Sequence, residues 1–413
     1  MSEAAEPLSR YCREQLPAML EFLRQMVAIN SFTENAFGID QLGAHIAAHF
    51  APLGFDAVHV PAARIGYGSH LVLERRANPE APTVALISHL DTVFTEEEEQ
   101  RNDFRWREDG TRIYGPGTND IKGGTALLHL TLSALGEVAP EVFARTNWVV
   151  LLNACEEVIS EDFGLLCRAH LPADTRAALI FEADGGEREE DFSVVTARKG
   201  RATFRVTVSG RGAHAGGQHH RGANAVAQLA QVVTALERLT DYAAGLTVNV
   251  GSILGGTVTN RVPHFASAEL EMRAFDPGAY ETAKRAILAW NREGEVGAAD
   301  FRCRVAVELT NETVPWPRNP GSQHVFELWQ EAGRELGLAV RSEDRGGLSD
   351  GNVLWDFCPT LDGLGPRGES CHCSEMNAAE GKEQEWVDVT SFVPKTVLNA
   401  SALLRLLGEL PLR

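Results

Sequence analysis

The chain has 413 residues, of which 44% are hydrophobic and 23% are charged, and its formal net charge is −19. The composition is that of an ordinary globular protein, and the length favours two domains over one. The strong negative charge argues against nucleic acids and anionic membranes as partners. It does not exclude an anionic small substrate, because a locally cationic pocket can override the overall field.

The N-terminal segment has no basic stretch followed by an apolar core, so we expect no signal peptide. No run of about eighteen apolar residues occurs, so we expect no transmembrane span. The seven cysteines are an odd number in a chain without a secretion signal, which favours reduced thiols over a disulfide framework. Cytoplasm is therefore the expected location.

The first part of the chain alternates between helical and extended patterns. Residues 7–29 carry apolar side chains at helical spacing, and Pro17 predicts a kink or a division into two shorter helices. Apolar strands and a helix follow, with the strands at 70–73, 83–88 and 148–153 and the helix at 125–134. This alternation predicts a layered α/β sheet with buried central strands.

A different pattern begins near Ala197. The segment ATFRVTVSG alternates strictly between apolar and polar residues, which predicts a half-exposed strand. A helix over 221–239 and further strands follow up to about residue 308, so we expect a compact α+β unit here. The remaining chain returns to helices at 323–336 and 387–407, with the tight loop GGLSDGN between them.

Five side chains that can bind metal stand in short segments suited to holding them. They are His89, Asp120, Glu157, Glu182 and His372. Two imidazoles and three carboxylates suit two borderline cations such as Zn²⁺, provided that one carboxylate is shared. If all five meet at one site, the α+β unit is an insertion into a discontinuous main domain.

The residues beside these candidate ligands suggest further roles. Glu156 precedes Glu157 after an apolar strand, and adjacent residues of an extended chain point apart, so one can face a metal while the other acts as a general base. Asp91 lies two positions after His89, on the same side of the strand, where it can accept a hydrogen bond from the imidazole nitrogen that faces away from a metal. Asp184 is the alternative metal ligand to Glu182, because it lies two positions further on and therefore on the same face of the chain.

Two other interpretations of these segments are weaker. The glycine-rich turn that carries Asp120 lacks both the GxxxxGK[ST] phosphate loop and a dinucleotide fingerprint. Cys371 and Cys373 flank His372, and we favour small residues packing beside a ligand over a thiolate metal site. No second cysteine pair offers the spacing of a zinc finger.

Eight segments together resemble those of the zinc metallopeptidase family of aminoacylases, dipeptidases and glutamate carboxypeptidases. In chain order they are HLDTVF, YGPGTNDIKGG, ACEE, FEAD, GRGAHAGG, GGTVTNRVP, GGLSDGN and LDGLGPRGE. They occur in the family's order and cover most of the chain, and the glutamate carboxypeptidase branch fits best. The segment CHCSEMNAAEG around His372 departs from the usual small-residue sequence, which affects substrate specificity more than metal binding.

The resemblance implies an α/β fold with a discontinuous di-zinc catalytic domain and an inserted lid. The catalytic domain, a mixed sheet flanked by helices, would comprise residues 1–197 and 310–413, and the ferredoxin-like α+β lid, residues 198–309, would form a homodimer. Two Zn²⁺ ions per subunit are implied, with Co²⁺ or Mn²⁺ as substitutes.

The resemblance also implies a role for each site residue. His89, Asp120 and Glu182 would hold one zinc ion, and Asp120, Glu157 and His372 would hold the other. Asp91 would orient His89, and Glu156 would be the general base and acid. His214 of the lid would stabilise the oxyanion in the partner subunit's site. Asn260 and Arg273 would bind the substrate carboxylate, to which the arginine fork is matched, although a salt bridge on the lid surface is the alternative for Arg273.

We therefore predict a zinc-dependent hydrolase that cleaves the amide bond to an amino acid with a free α-carboxylate. A carboxypeptidase acting on N-acyl or peptidyl glutamate or aspartate is the first choice, so the expected partner is a small or peptide-like substrate. An N-acyl amino acid deacylase is the alternative within the family. A catalytically inactive, dimeric metal-binding scaffold is the alternative from another class, and the presence of ligands, base and lid histidine together argues against it.

Overall fold

The computed structural model describes residues 5–186 and 191–408. Over these residues the chain divides into two compact units. The first unit comprises Met1–Thr196, Arg318–Glu343 and Ser349–Arg413, and the second comprises Ala197–Pro317 and Asp344–Leu348.

The helices and strands alternate along the first unit and again along the second. The α-helices are α1 (Ala5–Val27), α2 (Ala36–Phe50), α3 (Glu96–Arg101), α4 (Lys122–Val138), α5 (Pro140–Ala144), α6 (Phe163–His170), α7 (Ala225–Glu237), α8 (Pro277–Leu288), α9 (Pro320–Leu336) and α10 (Phe392–Leu406). The strands are β1 (Asp56–Pro61), β2 (Ser69–Arg75), β3 (Thr83–His89), β4 (Arg107–Asp109), β5 (Arg112–Tyr114), β6 (Asn147–Asn153), β7 (Ala177–Ile180), β8 (Asp191–Arg198), β9 (Gly200–Ser209), β10 (Thr247–Gly255), β11 (Phe265–Ala274), β12 (Glu293–Ala298), β13 (Phe301–Thr313), β14 (Ala339–Arg345), β15 (Thr360–Leu361), β16 (Gly368–Glu369) and β17 (Trp386–Asp388). Among the described helices, none is both long and apolar enough to cross a membrane. The cytoplasmic location stays a prediction.

A six-stranded mixed sheet forms the centre of the first unit, with the strand order β1-β2-β6-β3-β7-β15. The pairs β1/β2 and β2/β6 are antiparallel, whereas β6/β3, β3/β7 and β7/β15 are parallel. Every residue of β3 and β6 is buried, as expected for central strands that are covered on both faces. The predicted buried strands of a layered α/β sheet are therefore confirmed.

The two faces of this sheet carry separate apolar clusters, because side chains alternate along each strand. Leu86 and Val150 belong to the larger cluster, which also contains residues of α1, α4, α9 and α10. Ile87 and Leu151 belong to the smaller cluster, together with residues of α6. Helices thus flank the sheet on both faces, which confirms the predicted architecture.

Two predicted helices differ from the structure. α1 is a single helix with Pro17 inside it, so the predicted division into two helices is wrong. Pro17 is exposed, and the buried face of the helix continues past it. The helix predicted from residue 387 begins at Phe392, because Trp386 and Val387 instead extend a four-stranded sheet by pairing with β5.

The second unit is built on a five-stranded antiparallel sheet with the order β10-β11-β9-β13-β12. As the alternation predicted, Phe204, Val206 and Val208 of β9 lie in its apolar core, which also contains residues of α7 and α8. β13 continues to Thr313, where it still pairs with β9. The unit therefore extends beyond residue 309 and also includes 344–348, segments that the sequence had placed in the catalytic part.

Candidate metal centre

The first unit brings together all five residues that the sequence suggested as ligands. One ligand atom from each of His89, Asp120 and Glu182 lies within 4.8 Å of the others, and Asp120, Glu157 and His372 form a second group of the same kind. Asp120 belongs to both groups. These five residues come from five separate segments of the chain, so their convergence is a property of the fold.

The two oxygen atoms of Asp120 face different groups. Its Oδ1 lies 3.0 Å from Nε2 of His89, and its Oδ2 lies 3.3 Å from Nε2 of His372. Glu182 Oε1 completes the first group at 3.7 Å from the His89 nitrogen, and Glu157 Oε2 completes the second at 3.1 Å from the His372 nitrogen. This is the arrangement expected of one carboxylate shared between two cations.

The parallel strands explain why three of these segments meet. His89 is the last residue of β3 and pairs in register with Asn153, the last residue of β6, while Glu182 follows β7 by two residues. The carboxyl ends of adjacent parallel strands lie at one edge of a sheet, where ligands of α/β proteins commonly bind. Asp120 reaches the same edge from the turn before α4, and His372 reaches it from the loop between β16 and β17.

Glu385 holds the backbone of the candidate ligand Asp120, and no pattern in the sequence indicated this role. Its Oε1 accepts hydrogen bonds from the backbone N–H groups of Asn119 and Asp120, at 2.9 and 3.0 Å. The side chain is fully buried, and this burial raises the pKa of Glu385 to about 8. Asn119 also donates its side-chain N–H to Sγ of Cys371 at 3.0 Å, which connects the loop of Asp120 to the loop of His372.

Asp91 holds the turn that follows β6. Its Oδ1 accepts the backbone N–H of Glu156 at 3.0 Å, and its Oδ2 accepts that of Glu157 at 3.2 Å and the hydroxyl of Thr33 at 2.8 Å. Nδ1 of His89 lies 3.0 Å from the backbone oxygen of Asp91 and 3.4 Å from its carboxylate. The imidazole contact predicted for the carboxylate is therefore made mainly by the main chain of the same residue.

The alternative ligand Asp184 lies outside both groups. It is buried in an ion pair with Lys395, and its Oδ1 also accepts a backbone N–H from Ser193 at 3.2 Å. Because both of its oxygens are already bonded to protein donors, Glu182 is the better candidate of the two.

The electrostatics of the site favour positive charge. The hydrogen bonds that His372 donates to the carboxylates of Asp120 and Glu157 raise its pKa to about 11. Burial alone would lower the pKa of His89, yet the carboxylates of Asp120, Asp91 and Glu182 raise it well above its usual value. A cluster of carboxylates with two imidazoles is also a donor set that divalent ions such as Zn²⁺, Co²⁺ and Mn²⁺ accept. The residues therefore fit divalent cations.

Glu156 lies beside the second group. Burial raises its pKa well above the usual value, and the negative charge of Asp350 acts in the same direction. Asp350 is itself buried in the loop GGLSDGN and accepts a hydrogen bond from Asn153 at 2.8 Å, and burial raises its pKa to about 7. The sequence indicated only a tight loop at this position.

The three predicted residues of the lid lie in the second unit. His214 is exposed, and its Nδ1 accepts the backbone N–H groups of Gly216 and Gly217 at 3.1 and 3.0 Å, which leaves the proton on Nε2. Asn260 is exposed in the turn that follows β10, and its backbone carbonyl accepts the N–H of Ala215 at 2.9 Å.

Arg273 already has partners within the second unit. Its guanidinium pairs with Glu271, with Nε 2.9 Å from Oε1, and Nη1 donates to the carbonyl of Gly346 at 3.1 Å. Arg201 pairs with the same glutamate at 2.9 Å. The salt bridge that the sequence left open for Arg273 therefore exists, and a substrate carboxylate would have to compete with Glu271 or use the remaining N–H groups.

Comparisons with known proteins point to one family of hydrolases. Residues 196–296 match the M20 peptidase dimerisation domain. The chain is 26% identical to carboxypeptidase G2 of Pseudomonas sp. (strain RS-16) over 402 residues, which cover 96% of this chain and 90% of the relative. It is 27% identical to succinyl-diaminopimelate desuccinylase of Leptothrix cholodnii over 377 residues, or 86% of this chain and 92% of the relative. These matches support the M20 zinc metallopeptidase family, which is the family that the sequence resembles.

A solved structure shows the same fold at lower identity. The Bacillus subtilis YXEP protein, described as a dinuclear metal-binding peptidase of the M20 family, superposes with a TM-score of 0.67 at 14% identity and covers 96% of this chain and 100% of its own. The relatives and the matched domain together indicate a hydrolase that acts on amide or peptide bonds, which confirms the predicted class of enzyme. The two groups of candidate metal ligands in this chain support metal binding.

Proposed function

We propose that this M20 peptidase is a zinc-dependent carboxypeptidase that releases an amino acid with a free α-carboxylate, glutamate or aspartate in first place. The observation that carries the proposal is the carboxylate of Asp120, whose two oxygens face two different groups of three ligands. The relative named carboxypeptidase G2, which aligns over most of the chain, supports the carboxypeptidase reaction. The neighbour described as a dinuclear metal-binding peptidase supports two ions per site.

The side chains divide the chemistry between them. His89, Asp120 and Glu182 would hold one ion, and Asp120, Glu157 and His372 the other. When bound, the two ions would lower the pKa of a water molecule and polarise the carbonyl of the scissile amide. Glu156 accepts the proton of the attacking water and then returns it to the nitrogen of the leaving amine. Asp91 keeps Glu156 and Glu157 in place through their backbone N–H groups.

The residues of the lid complete the proposal. His214, whose proton on Nε2 is free to be donated, stabilises the oxyanion of the partner subunit's reaction, and Asn260 and Arg273 bind the substrate carboxylate. The match of residues 196–296 to a dimerisation domain supports a homodimer formed through this part of the chain. These roles rest on the family resemblance and on the local geometry of the second unit.

A second candidate function is the removal of an acyl group from an N-acyl amino acid. The relative named succinyl-diaminopimelate desuccinylase, which also aligns over most of the chain, favours it. The two functions differ in which half of the substrate is recognised. A carboxypeptidase selects the released amino acid and tolerates different N-terminal halves, whereas a deacylase selects the acyl group.

The test is a panel of N-acyl and peptidyl amino acids in which the two halves vary separately, assayed for free amino acid with zinc, cobalt or manganese. Glu156→Gln should lower kcat at least about 100-fold with metal content unchanged, because general acid–base catalysis commonly contributes 10²–10⁴-fold. Glu161→Gln, an exposed glutamate of the same loop, is the matched control and should keep full activity. A fully active Glu156→Gln variant would show that the assigned base is wrong.

A further inference from the structure

In the turn that carries Glu156 and Glu157, the backbone N–H groups of residues 154–157 all donate to side chains. Ala154 donates to Nδ1 of His70 at 3.0 Å, and Cys155 donates to Oδ1 of Asn153 at 3.1 Å. Glu156 and Glu157 donate to the two oxygens of Asp91. Four consecutive amides thus have four fixed acceptors, and none of these bonds belongs to a helix or a sheet.

His70 is the least expected of these acceptors. It lies on β2 and is fully buried, 84 residues from Ala154 in the sequence. Because Nδ1 accepts a backbone N–H, it carries no proton, and the proton of the neutral ring is on Nε2. Nε2 lies 3.3 Å from Oδ1 of Asp162, to which it donates. The tautomer of His70 is therefore set from both sides.

Asp162 is fixed in turn by the loop around it. Its Oδ1 also accepts the hydroxyl of Ser160 at 3.0 Å, and its Oδ2 accepts the backbone N–H of Ala63 at 2.7 Å. Burial acts to raise the pKa of Asp162, but the hydrogen bond from Ala63 and the proximity of His70 outweigh it and lower the pKa, so the carboxylate is ionised at neutral pH. Because the acceptor is a charged carboxylate, the hydrogen bond from Nε2 of His70 is stronger and fixes the imidazole ring more firmly.

The same three side chains could be taken for a metal site, since ligand atoms of His70, Cys155 and Asp162 lie within 4.8 Å of one another. The tautomer argues against this. The nitrogen that faces the group carries the proton, and a metal would require that proton to leave or the bond to Ala154 to break. Burial also raises the pKa of the Cys155 thiol to about 12, so that it is neutral and a poor ligand.

We propose that His70, with its ring fixed by Asp162, is a positioning residue for Glu156. The inference rests on the proposed function, in which Glu156 transfers the proton. Ala154 and Glu156 are two residues apart in one turn, so releasing the first amide lets the turn shift while the metal ligands stay attached through other bonds. A misplacement of about 1 Å at a reacting group is enough to lower the rate about 100-fold.

Two substitutions of His70 separate positioning from simple stability. His70→Leu removes the acceptor of the Ala154 N–H, whereas His70→Asn places an amide oxygen near the position of Nδ1 and keeps an acceptor there. His129→Leu is the control, because His129 is a partly buried histidine of α4 that is bonded through Nε2 to the carbonyl of His49 at 3.1 Å and has no contact with the turn among those described. Steady-state kinetics, bound zinc and amide hydrogen exchange of a peptide spanning 154–157 are measured on each protein.

We expect His70→Leu to lower kcat about 10- to 100-fold, with KM within about threefold of wild type and zinc content unchanged. The amides of 154–157 should exchange faster, His70→Asn should lie between wild type and His70→Leu, and His129→Leu should change neither kcat nor this exchange. If His70→Leu does not fold, Asp162→Ala replaces it and should act in the same direction.

Wild-type kcat and wild-type exchange in the folded variants would overturn the inference. So would a third zinc equivalent that is bound by the wild type and lost in His70→Leu, since the cluster would then be a metal site. If the wild type hydrolyses nothing on the panel, the proposed function fails, and the exchange of 154–157 still decides whether His70 holds the turn.

Discussion

Glu385 offers a direct test of how the shared ligand is held. The fully buried side chain accepts the backbone N–H groups of Asn119 and Asp120 through one oxygen. Glu385→Leu removes this acceptor and leaves two buried N–H groups without a partner. Each such group costs about 1–3 kcal/mol, so we expect the free energy of unfolding to fall by about 2–6 kcal/mol.

The same substitution should weaken metal binding, because Asp120 is the candidate ligand that both groups share. Removing the outer partner of a ligand typically lowers metal affinity about 10- to 100-fold. Zinc affinity is measured by competition with a chromophoric chelator, and stability is measured by urea unfolding of the metal-free protein. Glu385→Gln is the matched control, since its amide oxygen can still accept both N–H groups. A Glu385→Leu variant that binds zinc as tightly as the wild type would refute the reasoning.

Two further predictions concern stability. Lys395 and Asp184 form a fully buried ion pair, so Lys395→Met should lower the free energy of unfolding by about 3–5 kcal/mol in urea titrations. The double variant Lys395→Met with Asp184→Asn should recover part of that loss of stability. If the free-energy losses of the two single variants simply added in the double variant, the pairing of these residues would be contradicted. Burial lowers the pKa of His129 to about 4, and its value in the unfolded chain is about 6.5. The native state therefore binds fewer protons, so this stability is complete above about pH 6.5 and is lost towards about pH 4, by about 3 kcal/mol. In the His129→Leu variant, the free energy of unfolding should fall less steeply between about pH 6.5 and about pH 4 than in the wild type. Equal slopes for the two proteins would exclude this contribution of His129.

The five candidate ligands that the fold brings together could be found in the sequence because each lies in a recognisable local pattern. His89 and Glu182 come directly after apolar runs that became β3 and β7, and the carboxyl ends of parallel strands converge at one edge of a sheet. The supporting residues have no such pattern. Glu385 lies 265 residues after Asp120, in a polar segment without periodicity, and His70 lies inside a strand that reads as ordinary. Each of these side chains accepts a backbone N–H from a residue far away in the sequence. Only the folded packing of the sheet and its loops determines which N–H groups lie within reach.

The same limit explains the elements that were misplaced. Val387 was the first residue of the predicted helix, yet Val387 and Trp386 pair with β5, and Glu385, the residue before them, accepts the backbone N–H of Asp120. The helical pattern was local, whereas the strand is imposed by a partner far away in sequence. Pro17 is the opposite case, in which a strong local signal for a break was overridden because the apolar face of α1 is buried on both sides of it.

Buried carboxylates from other parts of the chain hold two of the candidate ligands, Asp120 and Glu157. Glu385 fixes the loop of Asp120, and Asp91 fixes Glu156 and Glu157 through one carboxylate. Such second layers keep ligands in place before a metal arrives and raise its affinity. The two oxygens of Asp91 accept the backbone N–H groups of both the proposed base, Glu156, and the proposed ligand, Glu157. A change at Asp91 must therefore alter metal binding and proton transfer together, whereas a change at His70 acts two residues earlier, where the two can be separated.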